Sequence, residues 1–207
     1  AGTTLQGSAG YAIASVFDVA HTNGLRTGLY ATKEKFVLFK DSYAANIDAY
    51  ANYDLDATLM MNDFLANMTP NPTHYTFVHF NDTDTAGHAS GWGSAAYVAA
   101  AKKVDGHLGQ IFNLIQTQPQ MKGKTKIILS TDHGGVDLGH SDQSIGVNYT
   151  IPMFVWGEGI AANSNLYTLN GSATQDPGNG RPNLANNVPQ PIRNGDGGNC
   201  ALRMLGL

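Results

Sequence analysis

Lys126-Ile-Ile-Leu-Ser130-Thr-Asp132-His133-Gly-Gly-Val-Asp-Leu-Gly-His140 is the stretch on which the reading of the fold turns. Its first five residues are an apolar run short enough to be a buried strand. The run stops at an Asp-His pair, and Gly134-Gly135 lets the chain turn away so that both side chains can face one site or neighbouring sites. A second phrase repeats the plan. Tyr75-Thr-Phe-Val-His-Phe80 reads as a strand, and Asp84-Thr-Ala-Gly-His88 follows it. In open α/β sheets ligands gather in the crevice beyond the carboxyl ends of the strands. Carboxylate and neutral imidazole are the donors that a hydrolytic transition-metal ion prefers. Asp84, His88, Asp132, His133 and His140 are therefore the candidate metal ligands.

Working outward, helical and strand signals alternate. Ala12 to Asn23 reads as a helix stopped by Gly24, and Leu25 to Ala31 as a strand. Phe36-Val-Leu-Phe39 is a short strand or a packed loop, and Leu55 to Met68 is a helix ended by Thr69-Pro-Asn-Pro72. Tyr97, Ala101, Val104, Leu108, Ile111 and Ile115 lie on one helical stripe, a core face and not a cofactor box. Ile151-Pro-Met-Phe-Val-Trp156 is a further strand. Strands separated by helices predict an α/β fold in three layers, αβα, with a mostly parallel central sheet. The whole of 1–207 reads as a single domain: a core over about 10–160, a loop-rich 161–199 that includes Asp176-Pro-Gly-Asn-Gly-Arg-Pro182, and a terminal helical segment over 200–207.

Composition narrows the function. With 207 residues the chain is long enough for one real core. Only 14% of residues are charged and the net charge is -4, so there is no basic footprint for nucleic acid. No uninterrupted apolar stretch is long enough to span a membrane, and the N-terminus has no signal-peptide pattern. The chain opens without Met in small polar residues, from which processing or truncation is expected. Cys200 is the sole cysteine, so disulfides do not define the compartment. Few Lys and Arg beside much Gly, Asn, Ser and Thr point to an extracytoplasmic protein, periplasmic or secreted.

Asp84 and His88 stand four apart, a spacing that suits one ion on a helical turn or on a loop curled at Gly87. Five ligands exceed one tetrahedral site and fall short of two. Two ions about 4 Å apart would clamp the attacking and leaving oxygens of a phosphoryl displacement. Other polar residues have plainer readings. His21, His74 and His107 lack a paired carboxylate and are structural. His79 is either a core histidine or a residue that supports a metal ligand from behind. Asp82 competes with Asp84, which its spacing favours; Asp137 and Asp142 are loop carboxylates, either of which could orient an imidazole. Trp92 lines a pocket or packs.

These phrases resemble the alkaline phosphatase superfamily, on its type I phosphodiesterase and nucleotide pyrophosphatase side. The match is carried by His79-Phe-Asn-Asp-Thr-Asp-Thr-Ala-Gly-His88 and Leu129-Ser-Thr-Asp-His-Gly-Gly135. Val16-Phe-Asp-Val-Ala-His-Thr-Asn-Gly-Leu-Arg-Thr-Gly28 and Ile151-Pro-Met-Phe-Val-Trp-Gly157 support it. The resemblance implies that Asp84, His88 and His140 bind one ion and that Asp132 and His133 bind a second; the Asp/His donor set suits zinc, with manganese or mixed sites the other choice. It implies hydrolysis of a small phosphoester or nucleotide through a covalent phospho-enzyme. The family also uses an Asp at the end of a first strand and a Thr or Ser nucleophile opening a helix, both upstream of the matched phrases. Neither has a counterpart here, so the expectation is an incomplete fragment lacking the N-terminal strand, whose partner would be the missing segment. Asn199-Cys-Ala-Leu-Arg-Met-Leu-Gly-Leu207 resembles the last helix of exported bacterial members. Two other functions compete: a catalytically inactive metal-binding or interaction domain, and a phosphoglycerate mutase-like isomerase, for which the chain lacks the inserted domain.

Overall fold

The computed structural model describes residues 3–178 and 187–207, so the middle of the loop-rich stretch, 179–186, lies outside the described residues. Three parallel strands form the central sheet in the order β2-β1-β3: β1 (Thr27–Ala31), β2 (Ala49–Asn52) and β3 (Tyr75–Val78). Alternation along β1 sends side chains to both faces. Leu29 and Ala31 meet Phe17, Phe36, Tyr43 and Ile47 on one side. Tyr30 meets Met60, Met61 and Phe64 on the other, edge-on to the Phe64 ring at 5.1 Å. Helices thus cover both faces: α2 (Val16–Thr22) and α3 (Val37–Ser42) on the first, α4 (Ala57–Met68) and α6 (Ala95–Thr117) on the second. This is the three-layer α/β architecture expected from the alternation of signals.

Helix starts follow their caps. Ser15 accepts from the Asp18 amide at 3.2 Å while Asp18 accepts from the Ser15 amide at 2.9 Å. This capping box starts α2 at Val16 and leaves Ala12 to Ala14 outside the helix. Asp56 caps α4 by accepting from the Leu59 amide, and Ser94 caps α6 by accepting from the Tyr97 amide. A one-turn α1 (Leu5–Ala9) precedes α2.

The structure corrects four local readings. Phe36-Val-Leu-Phe39 is neither strand nor loop: a 3-10 turn at Glu34–Phe36 runs directly into α3. Phe36 stacks on Phe39 at 5.7 Å, and Phe39 lies against Tyr43 at 6.5 Å, so the aromatics follow a helical repeat that a four-residue apolar window cannot display. Strand β2 was not expected, because Ala49-Tyr-Ala-Asn52 has no β-branched residue; its pairing with β1 makes it a strand. The terminal helix α8 (Asn194–Met204) starts six residues earlier than Cys200, where Asp196 accepts from the Arg193 amide at 2.7 Å.

The fourth difference concerns the sheet. Strands β4 (Lys126–Ser130) and β5 (Met153–Gly157) form a separate antiparallel pair, with Ser130 opposite Met153. A parallel return requires a crossover, usually helical. The β4–β5 connection contains only a 3-10 turn at Gly146–Asn148, so the chain comes back antiparallel. Strands β3 and β4 are not hydrogen-bonded to each other. A short α7 (Leu166–Leu169) lies in the loop-rich region. Among the described residues no helix is long and apolar enough to cross a membrane.

Candidate metal centre

The chain leaving β3 enters α5 (Asp82–Ser90), which carries Asp84 in its first turn and His88 one turn later. This fixes the open choice of backbone: the pair shares one helical face. The chain leaving β4 supplies Asp132, His133 and the loop to His140. The two segments meet at one atom. Asp84 Oδ1 lies 3.3 Å from His88 Nε2, 3.8 Å from His133 Nε2 and 3.8 Å from His140 Nε2. Donor atoms of Asp84, His88 and His140 all lie within 4.8 Å of one another. Asp132 reaches the group through His133, at 3.6 Å, and its carboxylate is 61% exposed. The five expected residues are therefore neighbours, with Asp132 at the outer rim.

Imidazole orientation is set by backbone carbonyls. His88 Nδ1 lies 2.9 Å from the Leu138 carbonyl, and His133 Nδ1 lies 2.8 Å from that of Gly134. A carbonyl only accepts, so Nδ1 carries the proton in both rings. Each ring therefore turns Nε2 toward Asp84, the orientation that a metal ligand needs. His140 stacks on His133 at 3.6 Å between ring centres. Burial, then the neighbouring His133, holds the His140 pKa below its usual value, favouring the neutral ring.

Asp84 Oδ1 is buried without a hydrogen-bond partner among the described residues. A buried carboxylate oxygen ringed by imidazole nitrogens and lacking a hydrogen-bond partner is costly unless something positive sits there. Burial raises the Asp84 pKa, but the Lys33 hydrogen bond and charge outweigh it, with help from His88 and His133, and the carboxyl is held below its ordinary value. The donor set thus fits a divalent transition-metal ion.

Trp92 is a packing residue. Its ring lies 5.0 Å from His88, 5.7 Å from His140 and 6.5 Å from His133, and its amide donates to the Asp137 carbonyl at 2.9 Å. Asp137, in a left-handed conformation at φ 51°, meets the site through that carbonyl, and no hydrogen bond joins its carboxylate to a ligand imidazole. His79 lies against Phe36 at 4.5 Å with Nδ1 buried and unpartnered among the described residues. Burial lowers its pKa to about 4, with Lys35 and Lys33 contributing against the opposing pull of Asp132 and Asp84. Asp82 pairs with Lys103 at 2.7 Å and so ties α5 to α6.

Two residues of the site escaped the sequence reading. Lys33 binds Asp84 Oδ2 at 2.8 Å. Asn194, opening α8, donates to the Asp132 carbonyl at 2.9 Å. Lys33 was within reach of the strand-end rule, since it stands two residues past β1. Asn194 carried no local signal.

A family model described as type I phosphodiesterase / nucleotide pyrophosphatase matches residues 16–177. The chain belongs to this family. Its two site-bearing phrases and both halves of the crevice fall inside the matched residues, on the phosphodiesterase branch of the alkaline phosphatase superfamily. Among curated relatives, this phosphodiesterase-family chain is similar to GPI ethanolamine phosphate transferase 1 of Aspergillus oryzae, 35% identical over 98 residues, 47% of this chain and 9% of the relative. The human enzyme of that name is 33% identical over 84 residues, 41% of this chain and 9% of the relative. The matches thus span about a tenth of these relatives' length. Among solved structures, murine ectonucleotide pyrophosphatase / phosphodiesterase 5 is 17% identical at a TM-score of 0.47, covering 57% of this chain and 32% of that one. An inactive form of it in complex with AMP aligns at 0.46, covering 57% and 31%.

Proposed function

We propose that this chain carries the metal-binding part of a phosphoester hydrolase of the phosphodiesterase/nucleotide pyrophosphatase type, working by two-metal in-line phosphoryl transfer. The observation that carries the proposal is the convergence of His88, His133 and His140 on one oxygen of Asp84. Asp84, His88 and His140 would hold one divalent ion, zinc by preference and manganese otherwise; Asp132 and His133 would hold the second. Bound, the ions supply Lewis-acid polarisation of a phosphoryl oxygen and charge neutralisation at the attacked phosphorus. The protein's part is orientation: two carbonyls orient two imidazoles, and Trp92 backs the three rings. The substrate is a small phosphoester or nucleotide, in keeping with the family's name.

The nucleophile and a further Asp ligand are assigned to a segment outside this chain. Support comes from the divided sheet. Strands β3 and β4 end at the same crevice yet are not paired with each other, leaving an edge on each for a strand of such a segment. An extracytoplasmic location is proposed from the low Lys and Arg content beside much Gly, Asn, Ser and Thr, together with the resemblance of residues 199–207 to the last helix of exported members.

The test compares residues 1–207 with the encoded protein that includes its upstream sequence. Metal content is measured for both, and turnover of p-nitrophenyl phosphate mono- and diesters is followed with and without chelator. The longer form is expected to turn over, to lose activity on chelation and to regain it with zinc; residues 1–207 are expected to bind metal without turnover. Chelator-insensitive hydrolysis would overturn the proposal. Metal binding without turnover in both forms would favour the second function, an inactive metal-binding or interaction domain, which the absence of a nucleophile from the matched phrases supports.

A further inference from the structure

Asp84 has two oxygens and the structure treats them differently. Oδ1 faces the Nε2 atoms of His88, His133 and His140. Oδ2 accepts from Lys33 Nζ at 2.8 Å. The lysine is held on both sides of its own Cα. Its carbonyl accepts from Asn52 Nδ2 at 3.1 Å, and the next amide, of Glu34, donates to Asp54 Oδ1 at 3.2 Å. Just before it, the fully buried Thr32 accepts from the Asn81 amide at 2.8 Å, binding the exit of β1 to the exit of β3. The ammonium is delivered by an anchored backbone and not by a free surface side chain.

Resting on the metal-centre reading above, we propose that Lys33 is a positioning residue that restricts Asp84 to a single ligating oxygen. Three protein donors with a fourth position open is the arrangement of a catalytic transition-metal site. A carboxylate free to bind through both oxygens would fill that fourth position. With Oδ2 engaged by Lys33, Asp84 offers Oδ1 alone, and the open position stays available to a phosphoryl oxygen. The ammonium also offsets the carboxylate charge, so that ligation by neutral imidazoles leaves the ion with most of its Lewis acidity. Lys33 acts only through Asp84 and is not placed in contact with substrate.

The test uses the unmodified protein, Lys33→Met and Lys33→Arg, each loaded with one equivalent of cobalt(II), and reads the visible absorption bands. Lys33→Met frees Oδ2, and a fifth ligand atom removes the four-coordinate geometry, so its bands are expected to lose roughly half their intensity or more. Lys33→Arg returns a cation and a donor to Oδ2 and is expected to keep the unmodified spectrum. An unchanged spectrum in Lys33→Met, or the same loss in both variants, would overturn the role of Lys33. If Lys33→Met fails to fold, the crystal structure of the zinc-loaded unmodified protein decides. Lys33 retained on Oδ2 upholds the proposal, and both Asp84 oxygens within about 2.2 Å of the ion overturn it. Failure of the unmodified protein to bind cobalt at all would instead sink the metal-centre reading, and this proposal with it.

Discussion

Gly135 stands so close to Trp92 that a Cβ on it would overlap Cε2 of the indole. Gly87, on the opposite segment, would bring a Cβ within 2.7 Å of the same ring. One glycine follows β4 and the other sits between Asp84 and His88, so the indole is wedged between the two segments that carry the candidate ligands. Neither glycine has a positive φ; closeness, not backbone freedom, demands them. Overpacking a filled site costs about 1–3 kcal/mol. Gly135→Ala is expected to lower thermal stability by that amount and to weaken metal binding by splaying His133 and His140 from His88. Combining it with Trp92→Leu, which shortens the obstructing side chain, should cost less than the sum of the single changes. Thermal melts of the two variants and their combination check this; strict additivity would show that the contact is not the cause.

Asp84→Asn separates charge from shape. The amide keeps the size of the carboxylate but presents no anion to the ion and leaves the Lys33 ammonium unbalanced. Loss of an outer partner of a metal ligand costs about 10–100-fold in affinity, and loss of the central ligand should exceed the upper end of that range. Without metal, the same variant should be close to the unmodified protein in stability, because Asp84 and Lys33 are both partly exposed and such pairs contribute about 1 kcal/mol or less. Competition with a chromogenic chelator measures the affinity. A loss under about tenfold would remove Asp84 from the centre of the site.

The site was legible in the sequence wherever chemistry and chain neighbourhood coincided. Asp84 and His88 share a turn, and Asp132 and His133 are adjacent, so composition at two strand ends suffices to make them candidates. His140 depended on a loop returning, which the glycines permit without specifying. The fold was legible where periodicity was long, as along α6, and illegible where an element is made by its neighbour: β2 has no β-branched residue, and the direction of β5 depends on the absence of a crossover helix. Asn194 lies 62 residues from Asp132 and Lys33 lies 51 from Asp84. Contacts at that separation are set by topology: the strand-end rule could single out Lys33 as a residue at the crevice but not name its partner, and no local pattern announces Asn194.

His79 should give the fold a dependence on pH. Its pKa is lowered by burial to about 4, against about 6.5 in an unfolded chain. Between these values the unfolded chain binds a proton that the folded ring refuses, so stability rises with pH across the window and is lost as pH falls from about 6.5 toward 4. The half-buried ring keeps some hydration, which limits the effect to about 2 kcal/mol. Denaturant melts at several pH values in the presence of chelator, compared with His79→Gln, isolate it. The variant should show a flatter profile in this window, and parallel profiles would mean that His79 is not the group responsible.

Asn194 links the start of the C-terminal helix to the outermost candidate ligand. Its side-chain amide donates to the Asp132 carbonyl, and Ser130 Oγ, at the end of β4, lies 3.5 Å from its Oδ1. The Asp132 carboxylate is exposed and lies 3.6 Å from His133 Nε2, and the Asn194 clamp holds the backbone from which it projects. Removing one such hydrogen bond costs about 1 kcal/mol of stability. The larger effect should fall on metal binding, and unequally. Asn194→Ala is expected to weaken the second equivalent of zinc about tenfold, the scale for a group that holds a ligand in place, while the first equivalent, held by Asp84, His88 and His140, binds as before. Calorimetric titration resolves the two events. Equal weakening of both would place the effect of Asn194 on the fold as a whole, and an unchanged second event would free Asp132 from any dependence on α8.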